Sequence, residues 1–291
     1  MARVSFVGLS RWREIGSAVL WLALFAAIGI SVTIVLSDLV PGVGGRPWSL
    51  ARSELYLLAG SLTATWLVGR LANRYSWNRM GWRAPRAVPR FFARGLGMGV
   101  AMAGLAVLLA VVFDGAELQL TGFAGFPDVV APLVVVLCAG ALFEELTWRG
   151  YPLRRLADAI GPGAATLLLA VAFGAAHLGN EGTSLLSTVN IAVAGLWLGV
   201  AFFSRGGMAL AWGLHLGWNA GLSLVFDAPV SGQAFNVPGM DYTPGAHPWL
   251  DGGPFGPEGG LIGTLVFVAG VVLLLGREIR RPRAWLAEVA A

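Results

Sequence analysis

APLVVVLCAGALFEELTWRG, Ala131–Gly150, is the stretch on which the fold turns. Its first eleven residues carry no charge and predict a lipid-spanning helix. Two glutamates then stand side by side at 144 and 145. On insertion scales an acidic residue near the middle of a span costs roughly 2.5–3.5 kcal/mol. A pair at that depth therefore predicts a site and not a stray charge.

The rest of the chain fits a membrane setting. Of 291 residues, 56% are hydrophobic and only 12% charged, against about 25% charged in soluble domains. The twenty basic residues are all arginine, which together with the Ala, Gly and Leu richness points to a GC-rich bacterial genome. The isoelectric point of about 10.0 would suit nucleic acid, but the arginines sit in loops beside apolar segments, where membrane orientation requires them. No nucleic-acid partner is expected. The single cysteine, Cys138, excludes an intrachain disulfide and reads as a packing residue.

Apolar runs of about 20 residues fall near 16–36, 53–72, 92–113, 129–150, 163–180, 187–204, 208–226 and 260–276. The first is too long for a secretory signal and is read as a span, with RVSFVGLSRW before it lying along the membrane surface. The expected fold is all-α, a polytopic bundle of about eight transmembrane helices in one integral membrane domain, 1–291. Arginines alternate across it. Arg3, Arg11 and Arg13, then Arg70 to Arg94, Arg154 and Arg155, Arg205, and Arg277 to Arg283 fall on one side; the other has Arg46 and Arg52 in its first loop and acids without arginine in the other three. Both termini are thus expected in the cytoplasm. The outer loop, 227–259, is rich in Gly and Pro and is expected to be irregular and folded back as a lid, with His247 a solvated loop residue. Trp12, Trp48, Trp77, Trp82 and Trp249 are expected at the interfaces, and Trp148, Trp212 and Trp218 in the core.

Chemistry concentrates in 129–226. The fourth helix is expected to run past Arg149, tolerating Pro152, to a break at Gly161. Glu144 lies 17 residues before Gly161 and His177 16 after it, so a hairpin there would bring them to one level. His215, ten residues beyond Arg205, reaches the same depth, about 15 Å at ~1.5 Å per residue. Glu145 and Arg149 are spaced i,i+4 and are expected to pair, which leaves Glu144 unpaired on its own helix. Phe173 with His177, and His215 with Asn219, each share a helix face. Gly213, Gly217 and Gly221 form a small-residue stripe opposite His215, expected to pack closely on another helix.

At these residues the sequence resembles a known family. EELTWR (Glu144, Glu145, Arg149), FGAAH (Phe173, His177) and HLGWN (His215, Asn219) are similar to the EExxxR, FxxxH and HxxxN motifs of the CAAX-protease and bacteriocin-processing family of intramembrane endopeptidases. The family includes type II CAAX prenyl endopeptidases and bacterial Abi proteins. The resemblance covers about 131–221 and implies an eight-helix core. It implies that Glu144 activates water and His177 helps hold it, while His215 and Asn219 stabilise the oxyanion. Burial moves a carboxylate towards the working pH of a general base, and amide and imidazole donors suit a developing oxyanion.

Three alternatives stay open. Glu144, His177 and His215 form a possible zinc-ligand set, although HExxH is absent. Transporters also bury acids and histidines at the midplane, although no inverted repeat is visible. An immunity or scaffold protein could keep the fold without catalysis. For the leading reading no cofactor is expected. The substrate is a peptide or membrane-anchored protein, its identity unread, and the setting is the lipid bilayer of a cell membrane.

Overall fold

The computed structural model describes residues 5–40, 45–72, 75–82 and 85–279. Of the arginines used for orientation, Arg3, Arg74, Arg83, Arg280, Arg281 and Arg283 lie outside those residues, as does the start of the expected surface segment. From Ser5 onward that segment is continuous with the first helix.

The order is α1 (Ser5–Leu39), α2 (Arg46–Leu71), α3 (Val88–Asp114), strand β1 (Glu117–Leu120), α4 (Phe126–Trp148), α5 (Tyr151–Ile160), α6 (Pro162–Ala176), α7 (Leu185–Phe203), α8 (Gly207–Ala220), strand β2 (Met240–Thr243), the short α9 (Pro248–Asp251) and α10 (Leu261–Ile279). A π-helical turn, Gly221–Val225, extends α8. The architecture is all-α apart from the ribbon of β1 and β2, which pair antiparallel with Glu117 opposite Thr243. This ribbon ties the 227–259 loop, expected to be irregular, to the segment after α3.

Among the described residues, four helical stretches are long and apolar enough to cross a bilayer: Arg11–Leu39, Val88–Asp114, Phe126–Ile160 and Leu185–Phe203. Two shorter apolar helices are Pro162–Ala176 and Leu261–Gly276. The third span is not one helix. The expected continuation through Arg149 is interrupted, because α4 ends at Trp148 and α5 begins at Tyr151. Pro152 lacks the N–H that an interior helical position needs, whereas the first turn of a new helix leaves that donor unused anyway. Pro152 therefore opens α5 and does not ride inside α4. The α5–α6 turn is where it was expected. Gly161 adopts φ 89°, a conformation costly for residues with a Cβ, and Pro162 starts α6.

The arginines of α5 are not simple loop charges. Arg155 donates to Ser17 Oγ at 2.9 Å and pairs with Glu14 at 3.3 Å, and Arg154 pairs with Asp158 at 3.4 Å. Both are buried. The Arg155 contacts staple α5 to α1, and the Arg154 pair braces α5 itself.

The closest helix pair is α3 with α8. A Cβ at Gly213 would overlap the Phe92 carbonyl, and one at Gly217 the Leu96 carbonyl. Facing them, a Cβ at Gly95 or Gly99 would overlap the carbonyl of Leu210 or Leu214. Backbone meets backbone along this seam, as small-residue faces allow. The stripe on α8 was expected; its glycine partner on α3 was not. Beside it Trp197, Trp218 and Phe267 stack in the core. Leu20, Ile30, Leu108 and Leu168 are exposed, as lipid-facing side chains would be. Trp12, Trp48, Trp77 and Trp249 are exposed too, while Trp82 packs against the core.

Candidate active site

α4 delivers its two glutamates to different surroundings. Glu145 is fully buried (0% exposed) and Arg149 nearly so (3%). Arg149 Nη1 donates to Glu145 Oε1 at 3.0 Å, the i,i+4 pair foreseen from spacing. Its Nη2 reaches the Gly195 carbonyl on α7 at 3.4 Å, and the guanidinium lies 4.3 Å from the centre of the Phe173 ring. Glu145 Oε1 also accepts from His215 Nδ1 at 2.9 Å. A carboxylate can only accept here, so Nδ1 holds the proton and Nε2 points away from Glu145. That Nε2 lies 3.7 Å from Glu144 Oε2, beyond hydrogen-bond distance. Glu144 itself is 29% exposed, and among the described residues it has no hydrogen bond.

α6 brings Phe173 and His177. The sequence puts His177 inside a helix; it is instead the residue that caps α6, which ends at Ala176. The chain turns away there, with Asn180 N and Thr183 Oγ1 donating to the His177 carbonyl. His177 Nδ1 donates to the Phe173 carbonyl at 2.8 Å. A carbonyl only accepts, so this fixes the proton on Nδ1 and leaves Nε2 free for another partner. Phe173 is the hub of the cluster. Its ring meets Trp148, His177 and His215 edge-on at 5.8, 4.8 and 6.3 Å. Its ring thus packs against both histidines.

Glu144, Phe173, His177, His215 and Asn219 all line one cavity of about 510 Å³. Asn219 sits a turn beyond His215 on α8, and its side-chain amide has no hydrogen bond among the described residues. The loop expected as a lid does fold back. Ser231 to Asn236 form part of the cavity wall.

Sequence reading missed what fastens this cover. Glu258, buried just before α10, accepts from Ser231 Oγ at 2.5 Å and from the Ser231 backbone N–H. It also accepts from Trp218 Nε1 at 2.7 Å, so Trp218 is more than core filling. Burial pushes the Glu258 carboxyl upward, and the bonds from Ser231 and Trp218 oppose that shift. Asn180 Nδ2 donates to the Ser231 carbonyl at 2.8 Å, joining the loop to the turn after His177. His247 is a loop residue 59% exposed, as expected, and its Nδ1 also meets Asp114 Oδ1 at 2.7 Å, which makes it a strut. Also missed was Glu54 of α2, which lines the same cavity. The signal existed in the sequence, since Glu54 is an acid inside an apolar run.

Among the described residues no group of three or more His, Cys, Asp or Glu side chains is placed to hold a metal ion. The donor set Glu144, His177 and His215 shares a cavity without converging on one point.

Residues 126–221 match the family described as type II CAAX prenyl endopeptidase Rce1-like. The matched segment contains all three motifs, from Glu144 to Asn219, and it supports both the resemblance to the CAAX-protease family and an intramembrane CAAX endopeptidase in general. No curated protein matches the chain.

Proposed function

We propose that this chain hydrolyses peptide bonds inside the membrane with a water activated by Glu144. The observation that carries the reading is the division of labour along α4. Glu145 is tied to Arg149 and His215, whereas Glu144 faces the cavity with no bond to spend. A partly exposed carboxylate with no hydrogen bond already made is the better base of the two. His177 offers Nε2 to the same space and holds the attacking water. Asn219 supplies an N–H donor for the tetrahedral oxyanion. His215 donates alongside it through Nε2, which requires both ring nitrogens to be protonated. Its charge then lies between Glu145 and Glu144, at 2.9 and 3.7 Å. The proton taken by Glu144 passes to the leaving amine as the bond breaks.

In this reading the chemistry needs no metal. Purified protein is expected to hold no stoichiometric zinc and to keep its activity in a chelator. One zinc per chain, with activity lost to chelation and restored by zinc, would promote Glu144, His177 and His215 to ligands. The remaining shape of the proposal is eight spans in a cell membrane with both termini cytoplasmic, which supplies the 227–259 cover from the outer side. A reporter fused at Gly239 that reads cytoplasmic would reverse it.

The deciding experiment compares membrane proteomes of cells making the intact protein or Glu144→Gln. Uncut precursors, peptides or membrane-anchored proteins, should accumulate with the variant. Identical proteomes would remove the peptidase reading and favour a scaffold or immunity role.

A further inference from the structure

Glu54 takes no part in the chemistry above and holds no other element in place. Its carboxylate lines the cavity, and among the described residues it accepts no hydrogen bond and meets no cation. It belongs to α2, outside the segment that matches the family.

Its position relative to Glu144 follows from the register of two helices. Ser61 Oγ and Thr147 Oγ1 are hydrogen-bonded at 2.9 Å, a sequence separation of 86. Glu54 meets α4 at Gly140, where a Cβ would lie 3.1 Å from Glu54 Oε2. That separation is 140 − 54, again 86. α2 and α4 therefore run parallel in constant register. Gly140 is one turn before Glu144, so the Glu54 carboxylate stands about 6 Å from the proposed base along the helix axis. Gly140 is the residue that lets it approach so closely. Leu50, one turn earlier on α2, lines a neighbouring apolar pocket of about 200 Å³ together with Val129 and Leu133. Glu54 stands between that pocket and the reacting centre.

Carboxylates dominate the wall. They are Glu54, Glu144, Glu181 and Glu258, and among the described residues that line it there is no arginine; the charge of His215 is held between Glu145 and Glu144 and does not reach Glu54 by any hydrogen bond among the described residues. Glu258 is already bonded. Glu54 and Glu144 repel each other one turn apart, and a cation placed against Glu54 would relieve that repulsion. A neutral substrate that filled the cavity would instead strip water from Glu54 and return nothing, which discriminates against it.

We infer that Glu54 selects substrates with a lysine or arginine within about two residues of the bond to be cut. Two residues of extended chain span roughly 6.6 Å, close to the axial rise of about 6 Å between Gly140 and Glu144. The pairing is a charge-assisted hydrogen bond between substrate ammonium or guanidinium and the carboxylate. This inference rests on the peptidase reading for its site, and the test separates the two.

A panel of single-span peptides in liposomes carries one Arg, Gln or Glu stepped along the segment. Each is also made as an uncleavable, neutral hydroxyethylene isostere. Cleavage is scored by mass spectrometry and isostere binding by fluorescence, with wild type, Glu54→Gln and Glu54→Arg. Wild type should prefer Arg over Gln at one or two positions by roughly tenfold or more, both in cutting and in binding. Glu54→Gln should erase that ratio, and Glu54→Arg should shift preference to the Glu peptide. Peptides that are cut without any Arg preference, or with a preference that survives Glu54→Gln, overturn the inference and leave the peptidase reading standing. Isosteres bound with a Glu54-dependent Arg preference while nothing is cut support the inference and sink the peptidase. Isosteres bound equally in that same case overturn both.

Discussion

Glu144 and Glu145 are joined by one peptide bond and belong to two regions that work differently. On the Glu145 side, polar groups answer one another through Oε1, while Oε2 is buried without a hydrogen bond among the described residues. Arg149 and His215 share its Oε1, and Phe173 covers the guanidinium. On the Glu144 side, the Asn219 amide and the Nε2 atoms of His177 and His215 line the cavity with no partner at hydrogen-bond distance among the described residues. The first region is what a low-dielectric setting demands of structural charges, since a buried charge is tolerable only when paired. The second breaks that rule in a cavity large enough for a peptide segment. Polar groups in a membrane protein are thus sorted by whether their bonds are already made. Those already made hold the bundle, and those left open are available to a ligand.

Four substitutions probe this division, the largest effect first. Glu144→Gln keeps the shape and removes the base; turnover should fall by up to about 10⁴-fold, the upper range for general-base catalysis, with thermal unfolding in detergent unchanged. A large loss of stability would mean Glu144 belongs to the structural side. Glu145→Gln should cost about 3–5 kcal/mol of stability, because Arg149 is left buried without its charge partner. An unaltered melting curve would erase the distinction altogether. Asn219→Ala should lower kcat by about 10²–10³ with little change in KM, as for a lost oxyanion donor; a KM effect alone would make it a substrate-binding group. Gly217→Ala, on the far face of α8, should cost about 1–3 kcal/mol by forcing the α3 seam apart. Its activity per folded molecule should move far less than that of Asn219→Ala, two residues away.

What could be read from the sequence follows how far each contact reaches along the chain. The Glu145–Arg149 pair, the face shared by His215 and Asn219, and the glycine stripe of α8 are set by helical spacing within a few residues. The gathering of Glu144, His177 and His215 around one cavity needed only helix lengths and an end point at Gly161. The hidden features are non-local or depend on where a helix stops. Nothing near Gly217 indicates that Gly95 and Gly99 will face it. His177 follows four apolar residues that look like continuing helix, yet it is the cap. Pro152 was read as a tolerated interior proline, but Gly150 just before it made a restart the cheaper arrangement. Glu258 is 40 residues from Trp218 and 27 from Ser231, in a Gly-rich loop whose path no periodicity predicts. Glu54 was visible as an acid in a span, but its neighbour Gly140 is fixed only by the register of two helices.

The interruption at Gly150 also isolates errors of phase. In an unbroken helix, one residue gained or lost beyond Arg149 would rotate whatever lies on the far side by about 100°. Because α4 ends and α5 restarts, the segment stapled to α1 through Arg155 and Glu14 can change in length or composition while the azimuth of Glu144 stays where α2 and α8 hold it. The phase of Glu144 is thereby independent of α5, whose inner face from Tyr151 to Arg155 is buried at the anchoring end.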